Sequence, residues 1–425
     1  MKIYIETYGC SSSKSDSEIM AGLLSKDFQI VNDIDNSDIV ILNTCIVKER
    51  TENKMLSRIK YIQENYPKKK LIIAGCMPEA EFEVVKRIAP YANLISTNKI
   101  RDIRKVVRKT IEGKKIELIG KDKKDKVCLP KLRKNLIIDI VEICSGCSHN
   151  CSYCITKLAK GNLFSYNHEK IIKAIRAAHN HGCKEFWITG QDVAAYNYDG
   201  NRLPELLKKM TEEIKGKYFL RLGMMNPSSL LPILGELVEI YKDEHVFKFL
   251  HIPVQSGSNE ILKKMKRNYS VSDFKKIISK FRKTIPEITV WTDLIVGFPE
   301  ERNEDFQKSI ALIKETKPDF VNVSRFGGRP RTLAAGMEQI PMQTRKERSR
   351  IISKLVDKIS LERNRKWLNW SGSALVDEYN PQKKNWIARN YAYKPIVLSG
   401  DFSFGESADI KIIEAGRSLI GSDKS

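Results

Sequence analysis

The chain has 425 residues, no apolar run of transmembrane length, and no signal-peptide core in its first residues, Met1–Glu6. Its 41% hydrophobic and 30% charged content is that of an ordinary globular protein. The length predicts about three domains. Because the chain lacks apolar segments of membrane-spanning length, we expect it in the cytoplasm. Nine cysteines in a reducing compartment indicate metal or catalytic roles rather than disulfides. The net charge of +22 indicates a polyanionic partner such as nucleic acid, although a lysine-rich surface of thermophile type would give the same charge.

Residues 1–115 alternate predicted strands and helices, a pattern typical of an open parallel sheet covered by helices. The predicted strands are Lys2–Tyr8, Asp38–Asn43, Lys70–Ala74 and Asn93–Ser96. The predicted helices are Ser13–Ser25, Val47–Tyr66, Pro78–Arg87 and Ile100–Ile111. The fold class of this first domain is therefore α/β.

A basic connector, residues 116–134, follows this domain. Between Arg101 and Lys134 there are 14 Lys or Arg residues and 5 Asp or Glu residues, and Lys121–Lys126 is almost entirely charged. Runs of charge are usually solvated, so we expect a solvated linker.

Residues 135–366 carry a longer β/α series that ends in a highly charged helix, Thr344–Lys366. The predicted strands are Leu136–Val141, Glu185–Thr189, Tyr218–Leu222, Lys248–Ile252, Thr289–Val296 and Asp319–Val323. Six βα units favour a partial (β/α)6 barrel. In residues 367–425, short β-like runs at Ser373–Val376, Trp386–Ala388, Pro395–Leu398 and Ala408–Ile413 predict a small β-barrel of the oligonucleotide-binding kind.

The most informative motif is a cysteine cluster with C-x3-C-x2-C spacing at Cys147, Cys151 and Cys154. Three thiolates on a four-iron cluster leave one iron open for a small molecule. The alternative is a zinc knuckle completed by His149.

Three more cysteines occupy a repeated place in the first domain. Cys10, Cys45 and Cys76 each follow a predicted strand, at separations of 35 and 31 residues. Loops after parallel strands converge on one edge of the sheet, where three thiolates can hold a second cluster. The alternative is three unrelated small residues in tight turns.

Other polar residues are weaker candidates. Gln191 and Asp192 follow the second barrel strand, where Asp192 could instead cap a helix. His251 and Gln255 follow the fourth barrel strand. Three further predictions concern residues outside the cysteine triplets. Arg267 and Arg329 could meet carboxylates or phosphate, or be solvated. The His179–Cys183 segment is expected to end a helix rather than bind metal. Cys128 and Cys144 are expected to be structural or free thiols.

The two cysteine triplets resemble those of the radical S-adenosylmethionine (SAM) methylthiotransferase family, and the resemblance covers the whole chain. The segments that carry it, besides the cysteine motif with Tyr153 before its last cysteine, are Tyr4–Cys10, His251–Ser258, Met265–Tyr269, Thr292–Pro299 and, in the tail, Gly405–Ile412. The resemblance implies an N-terminal domain with an auxiliary [4Fe-4S] cluster on Cys10, Cys45 and Cys76. It also implies a radical SAM domain with its cluster on Cys147, Cys151 and Cys154, and a C-terminal TRAM domain.

The resemblance further implies that the substrate is methylthiolated at an aromatic carbon that acids, bases and nucleophiles cannot activate. Two [4Fe-4S] clusters and SAM would carry the chemistry, with Tyr153, Gln191, Asp192 and Gln255 binding the cofactor. One cluster would reduce SAM to a 5′-deoxyadenosyl radical and the other would present a sulfur. An electron donor and a sulfur source are implied partners, and no membrane is expected.

The segment Tyr153–Gly161 resembles the archaeal and eukaryotic subgroup, which acts on N6-threonylcarbamoyladenosine at position 37 of the tRNA anticodon loop. The alternatives are isopentenyladenosine-37, an aspartate of a ribosomal protein or, from another class, a zinc-containing RNA-binding protein. Two positions depart from the family pattern: Lys160 replaces an arginine, and Arg329–Leu333 replaces Arg-Pro-Gly-Thr-Pro. Residues 367–425 carry 7 basic and 7 acidic residues, so RNA contacts there would depend on stacking by Trp386, Tyr391 or Tyr393, each of which could instead lie in the barrel core.

Overall fold

The computed structural model describes residues 1–47, 49–121 and 124–423. Its amino-terminal domain is a six-stranded parallel sheet in the order β2-β1-β3-β4-β5-β6. The strands are β1 (Lys2–Thr7), β2 (Gln29–Val31), β3 (Ile39–Thr44), β4 (Lys70–Gly75), β5 (Asn93–Ser96) and β6 (Glu117–Leu118). The helices are α1 (Ser11–Leu24), α2 (Glu49–Asn65), α3 (Met77–Ala80), α4 (Phe82–Ile88) and α5 (Ile103–Ile111).

The predicted open sheet is confirmed, with three differences in its elements. Strand β3 is buried along its whole length because helices cover both faces of the sheet. The helix predicted over Pro78–Arg87 is two helices that meet at Glu81, and the short strands β2 and β6 lacked a sequence signal. Because β6 pairs with β5, the sheet extends to Leu118, beyond the expected boundary at residue 115.

The connector is only partly solvated: Lys121, Lys124 and Lys134 are exposed, as predicted, whereas other residues pack against both neighbouring domains, contrary to the prediction of a solvated linker. Lys126 is buried, and its ammonium group lies 2.6 Å from Asp16 and 2.7 Å from Glu142. The Leu132 N–H donates to the Glu18 carbonyl at 2.9 Å. Asp122 and Lys123, in the same predicted segment, lie outside the described residues, as does Lys48 of the second predicted helix.

Two three-stranded parallel sheets form the predicted partial barrel, in the orders β7-β10-β13 and β14-β15-β16. A parallel bridge between Leu220 and Val246 lies between the two sheets. The strands from β7 onward are β7 (Ile138–Glu142), β8 (Cys144–Ser145), β9 (Phe164–Ser165), β10 (Glu185–Thr189), β11 (Asn197–Tyr198), β12 (Asn201–Arg202), β13 (Phe219–Leu222), β14 (Phe249–His251), β15 (Thr289–Val296) and β16 (Phe320–Arg325). The six predicted barrel strands are therefore all present.

Helices cover the outside of these sheets and bury a continuous apolar core. They are α6 (Thr156–Lys160), α7 (His168–Asn180), α8 (Leu203–Glu213), α9 (Pro227–Leu230), α10 (Leu234–Ile240), α11 (Asn259–Lys264), α12 (Val271–Thr284), α13 (Asn303–Thr316) and α14 (Met342–Arg365). Among the residues that the structure describes, no helix combines the length and the apolar character needed to cross a membrane.

The tail is a closed five-stranded barrel in the order β17-β18-β19-β21-β20, as expected of a small TRAM-like domain. Its strands are β17 (Ser371–Asn380), β18 (Asn385–Arg389), β19 (Pro395–Leu398), β20 (Ser407–Ala415) and β21 (Leu419–Asp423). The barrel packs on the partial barrel near the amino-terminal ends of its strands: Lys394 pairs with Asp319 at 2.8 Å. Tyr393 is buried against Phe247 and Phe249, with centroid distances of 4.8 and 4.9 Å, so the stacking role is wrong for this residue.

Candidate functional site

The three cysteines of the amino-terminal domain lie on adjacent loops at the carboxyl edge of the sheet. Cys10, Cys45 and Cys76 follow strands β1, β3 and β4, which are neighbours in the sheet. Gly9 has φ +118°, and a Cβ there would lie 2.8 Å from the Cβ of Cys45, so only glycine lets these loops approach. Burial raises the pKa of Cys76 to about 12, Lys160 opposes this rise, and the neighbouring thiols of Cys45 and Cys10 add to it.

The second triplet lies on one loop between β8 and α6. The His149 N–H donates to the Cys147 sulfur at 3.4 Å. The Nε2 atom of His149 is engaged elsewhere, 3.1 Å from Asp192 and 2.9 Å from Ser229. His149 therefore fastens the cysteine loop to the barrel.

Gln191 and Asp192 position this loop from the carboxyl end of β10. Gln191 accepts from the Gly146 N–H at 2.6 Å, and its amide donates to the Ser12 hydroxyl at 3.4 Å, so it joins the loop to the amino-terminal domain. Asp192 is buried and accepts from the Asn226 N–H at 2.9 Å. Its side chain caps no helix, so the capping interpretation is wrong.

Tyr153, His251 and Gln255 lie on the barrel side of the loop. The Tyr153 ring is half-buried and meets Phe298 edge-to-face at 6.3 Å. His251 Nε2 lies 2.8 Å from the Asp293 carboxylate. Gln255 has φ +68°, and its N–H donates to the Asp293 carbonyl at 2.8 Å, which turns the chain sharply after β14.

Of the two candidate arginines, Arg329 is buried and Arg267 is half-buried, and neither side chain is simply solvated. Arg267 donates to the Cys151 sulfur at 3.3 Å and to the Tyr269 hydroxyl at 2.9 Å. Arg329 is 4% exposed and lies 3.2 Å from Glu81 of the amino-terminal domain, with Glu52 also in contact. Both meet negative or electron-rich groups, as their donor geometry favours.

A buried ion-pair network beside the first triplet was not predicted. Lys126 bridges Asp16 and Glu142, and Lys160 lies 3.2 Å from the other oxygen of Glu142. Lys160 therefore keeps a cation where the family pattern has arginine. The sequence did not single out Lys126, because it lies in a run of similar charges. It did not single out Asp16 either, because an acidic residue on a helix is ordinary.

Helix α6 brings the two cysteine triplets to facing edges of the domains. Ile155 and Ala159, just after the second triplet, lie in the same apolar cluster as Cys76. Lys160 is also close enough to lower the pKa values of Cys45 and Cys76 against the larger effect of burial. The first residues of α6 thus link the second triplet to the first.

The cysteines outside the two triplets and His179 make contacts with the backbone or are exposed. Cys144 and Cys183 are buried and donate to backbone carbonyls, whereas Cys128 is exposed. His179 contacts the Cys183 and Lys215 carbonyls at the end of α7.

The two triplets suit iron–sulfur clusters by their donor chemistry. Thiolates are the ligands that such clusters prefer, and each binds a different iron. Within the described ranges, no three His, Cys, Asp or Glu side chains come close enough to hold a single metal ion.

Comparisons with known proteins identify two family domains in the chain. Residues 2–97 match the uncharacterized protein family UPF0004, and residues 141–313 match the radical SAM superfamily. Among solved structures, the radical SAM methyltransferase TsrM from Kitasatospora setae aligns with a TM-score of 0.58 at 13% identity. That alignment covers 79% of this chain and 76% of TsrM, and it shows a shared fold.

Curated relatives match over nearly the full length. A probable threonylcarbamoyladenosine tRNA methylthiotransferase of Methanothermobacter thermautotrophicus is 40% identical over 93% of both chains. The enzyme of that name from Pyrococcus abyssi is 40% identical over 97% of this chain and 96% of its own. The threonylcarbamoyladenosine tRNA methylthiotransferase of Homo sapiens is 36% identical over 99% of this chain and 73% of its own. The chain therefore belongs to the radical SAM methylthiotransferases, in the family of threonylcarbamoyladenosine tRNA methylthiotransferases.

Proposed function

We propose that this chain methylthiolates C2 of N6-threonylcarbamoyladenosine at position 37 of tRNA. The observation that carries the proposal is the pair of three-cysteine loops on facing edges of two domains. The names of the full-length relatives support the choice of substrate over isopentenyladenosine or a ribosomal protein. We infer that the reacting base binds between the two triplets.

Cys147, Cys151 and Cys154 would hold the cluster of the radical SAM domain, and Cys10, Cys45 and Cys76 an auxiliary cluster. When bound, these groups and SAM supply the electron, the hydrogen-abstracting group, the sulfur and the methyl group. The chain itself positions them. Gly9 and Gly75, each at positive φ, allow the loops of the first triplet to turn tightly after their strands.

The residues around the second triplet divide into two roles. Tyr153 and Gln255 are partly exposed on the barrel side, and we assign them to SAM contact. Asp192 is buried with its carboxylate satisfied by Asn226, Ser229 and His149, so it orients the loop. Gln191 also orients the loop, because it accepts from the Gly146 N–H and donates to the Ser12 hydroxyl of the amino-terminal domain.

The tail barrel offers an aromatic surface for RNA that differs from the predicted one. Tyr379 and Phe404 are 39% and 46% exposed, and both pack on Trp386, at 4.8 and 5.1 Å between ring centroids. Exposed rings of this kind stack on unpaired bases or sugars. Because the barrel lies near the amino-terminal ends of the partial-barrel strands, it would contact tRNA at a distance from the reacting base.

Nucleoside analysis tests the proposed reaction. Deleting the gene should abolish 2-methylthio-N6-threonylcarbamoyladenosine in digested tRNA measured by mass spectrometry, leaving the unmethylthiolated nucleoside in its place. A wild-type copy or Cys128→Ala, which alters an exposed thiol outside both triplets, should restore the product. Cys45→Ala should not. A deletion strain that keeps the product would contradict the proposal, and loss of the isopentenyladenosine product would identify the other substrate.

A further inference from the structure

A groove of about 690 Å³ borders the second cysteine loop on its radical SAM side. One wall is Ser148–Asn150 of the loop, and the other is residues 259–270, from the start of α11 to the start of α12. All of its lining residues belong to the radical SAM domain. No described residue of the amino-terminal domain lines the groove.

The groove is positively charged. Of its ten lining residues, Lys263, Lys266 and Arg267 are cationic and none is acidic. Lys263 and Lys266 are exposed, and neither has a carboxylate partner within 4.0 Å among the described residues. Glu300 near the groove is engaged by Lys264 at 2.6 Å. Such a concentration of unpaired cations attracts an acidic surface.

A single side chain joins this groove to the second cysteine triplet. Arg267 lines the groove and donates to the Cys151 sulfur at 3.3 Å. Electron transfer between proteins weakens steeply with distance, so a donor gains most by docking where one residue separates it from a cluster ligand. The loop residues His149 and Asn150 also line the groove. The His149 N–H donates to the Cys147 sulfur, and Asn150 directly precedes Cys151.

We propose that this groove docks a small acidic protein that carries one electron on a reduced flavin or iron–sulfur centre. The proposal rests on the proposed function, because it requires a cluster on Cys147, Cys151 and Cys154. One electron passes from the carrier to that cluster, so the carrier is oxidised by one electron and the cluster reduced by one, with no bond made or broken. The exposed Lys263 and Lys266 provide the charge that orients the carrier.

The aromatic content of the groove favours a protein over tRNA as its occupant. The one aromatic ring other than His149 that lines it, Tyr269, is buried beneath Arg267 and cannot stack on a base. The exposed rings suited to RNA are Tyr379 and Phe404 of the tail barrel, which pack on the partly exposed Trp386. RNA binding in the groove is therefore the alternative outcome of the test.

Charge reversal at the two lysines tests the docking site. The variant Lys263→Glu/Lys266→Glu is compared with Lys26→Glu/Lys105→Glu, which changes the net charge equally at two exposed lysines of the amino-terminal domain. The probe is an acidic flavodoxin. Its Kd for the cluster-loaded enzyme is measured by calorimetry, and the rate of cluster reduction by flavodoxin hydroquinone is measured by stopped-flow spectroscopy, both without tRNA. The Kd of each protein for tRNA is measured separately by calorimetry.

The groove variant should bind flavodoxin at least tenfold more weakly and be reduced correspondingly more slowly, whereas the control variant should match wild type. Reduction by dithionite, which needs no docking site, should be equal in all three proteins and shows that the cluster is intact. Equal flavodoxin binding and reduction in the groove variant would overturn the proposal. Weaker tRNA binding with unchanged flavodoxin binding would overturn it in favour of RNA. Since neither readout uses tRNA methylthiolation, a wrong substrate assignment would leave this result unaffected.

Discussion

Arg329 of the radical SAM domain places its guanidinium group 3.2 Å from the Glu81 carboxylate of the amino-terminal domain. Glu52 contacts the same arginine, so one buried cation is shared by two carboxylates across the domain interface. Burial and, next, the charge of Glu52 raise the pKa of Glu81 to about 7, although Arg329 opposes the rise. The interface is therefore sensitive to pH near neutrality.

We predict that Glu81 makes the protein less stable as the pH rises from about 5 to 7. A carboxyl group with a raised folded-state pKa stabilises the protein in its protonated form, and this contribution is lost between the unfolded value of 4.5 and the folded value. Glu81→Gln, which stays neutral, should gain Tm relative to wild type across that interval and keep a constant difference above about pH 8. Calorimetric unfolding of both proteins at several pH values measures this difference, and a difference that does not change with pH would contradict the prediction.

Replacing Lys126 should strongly destabilise the protein. Burial alone would lower the pKa of Lys126, but Asp16 and Glu142 outweigh it and keep the ammonium charged. Lys126→Met leaves Asp16 without its cation and Glu142 with Lys160 alone. Removing one partner from a buried ion pair costs about 3–5 kcal/mol. Urea unfolding measures the loss, with Lys124→Met at an exposed position of the same connector as the control; equal stability of the two variants would contradict the role of Lys126.

Replacing Arg331 by glycine should stabilise the protein slightly. Arg331 has φ +61°, and it stands where the family pattern Arg-Pro-Gly-Thr-Pro has glycine. The left-handed conformation costs a residue with a Cβ about 1–2 kcal/mol. Glycine removes this cost, but its greater freedom in the unfolded chain reduces the gain in stability. We expect Arg331→Gly to gain about 0.5–1 kcal/mol in urea unfolding. Arg331→Ala, which keeps the strain, should show no such gain, and a glycine variant less stable than alanine would contradict this.

Removing the charge of Arg267 should make the second cluster harder to reduce. Its guanidinium donates to the Cys151 sulfur, and a partly buried cation at a cluster ligand stabilises the added electron. For Arg267→Gln we expect a potential more negative by about 60 mV, which is a tenfold change in the equilibrium constant for one electron. Redox titration followed by electron paramagnetic resonance measures it. Arg267→Lys should lie between the two, and an unchanged potential in the glutamine variant would contradict the prediction.

The sequence predicted the elements that repeat a pattern and missed the contacts between distant residues. The six cysteines were found because each stands in a motif or just after an apolar strand. Lys126 looked solvated because its neighbours in the sequence are charged, whereas its partners Asp16 and Glu142 lie 110 and 16 residues away. Local pattern carries no information about such pairings.

The tail illustrates the same limit for aromatic residues. Tyr393 and Trp386 have similar sequence surroundings, yet Tyr393 is buried between the tail barrel and Phe249, and Trp386 lies in a partly exposed cluster. Which ring faces solvent is decided by how the tail barrel docks on the partial barrel. Strand β21 was also missed, because Leu419–Asp423 contains Gly and Asp, which are unfavourable in strands.

The proposed function requires that each cysteine triplet holds its own cluster, and iron analysis tests this requirement. Anaerobic iron and sulfide determination with Mössbauer spectroscopy would be made on wild type, on Cys147→Ala/Cys151→Ala/Cys154→Ala and on Cys10→Ala/Cys45→Ala/Cys76→Ala. We expect about eight irons per chain in wild type and about four in each triple variant. About four irons in wild type, lost entirely in one triple variant and unchanged in the other, would contradict the second cluster and the methylthiolation that depends on it.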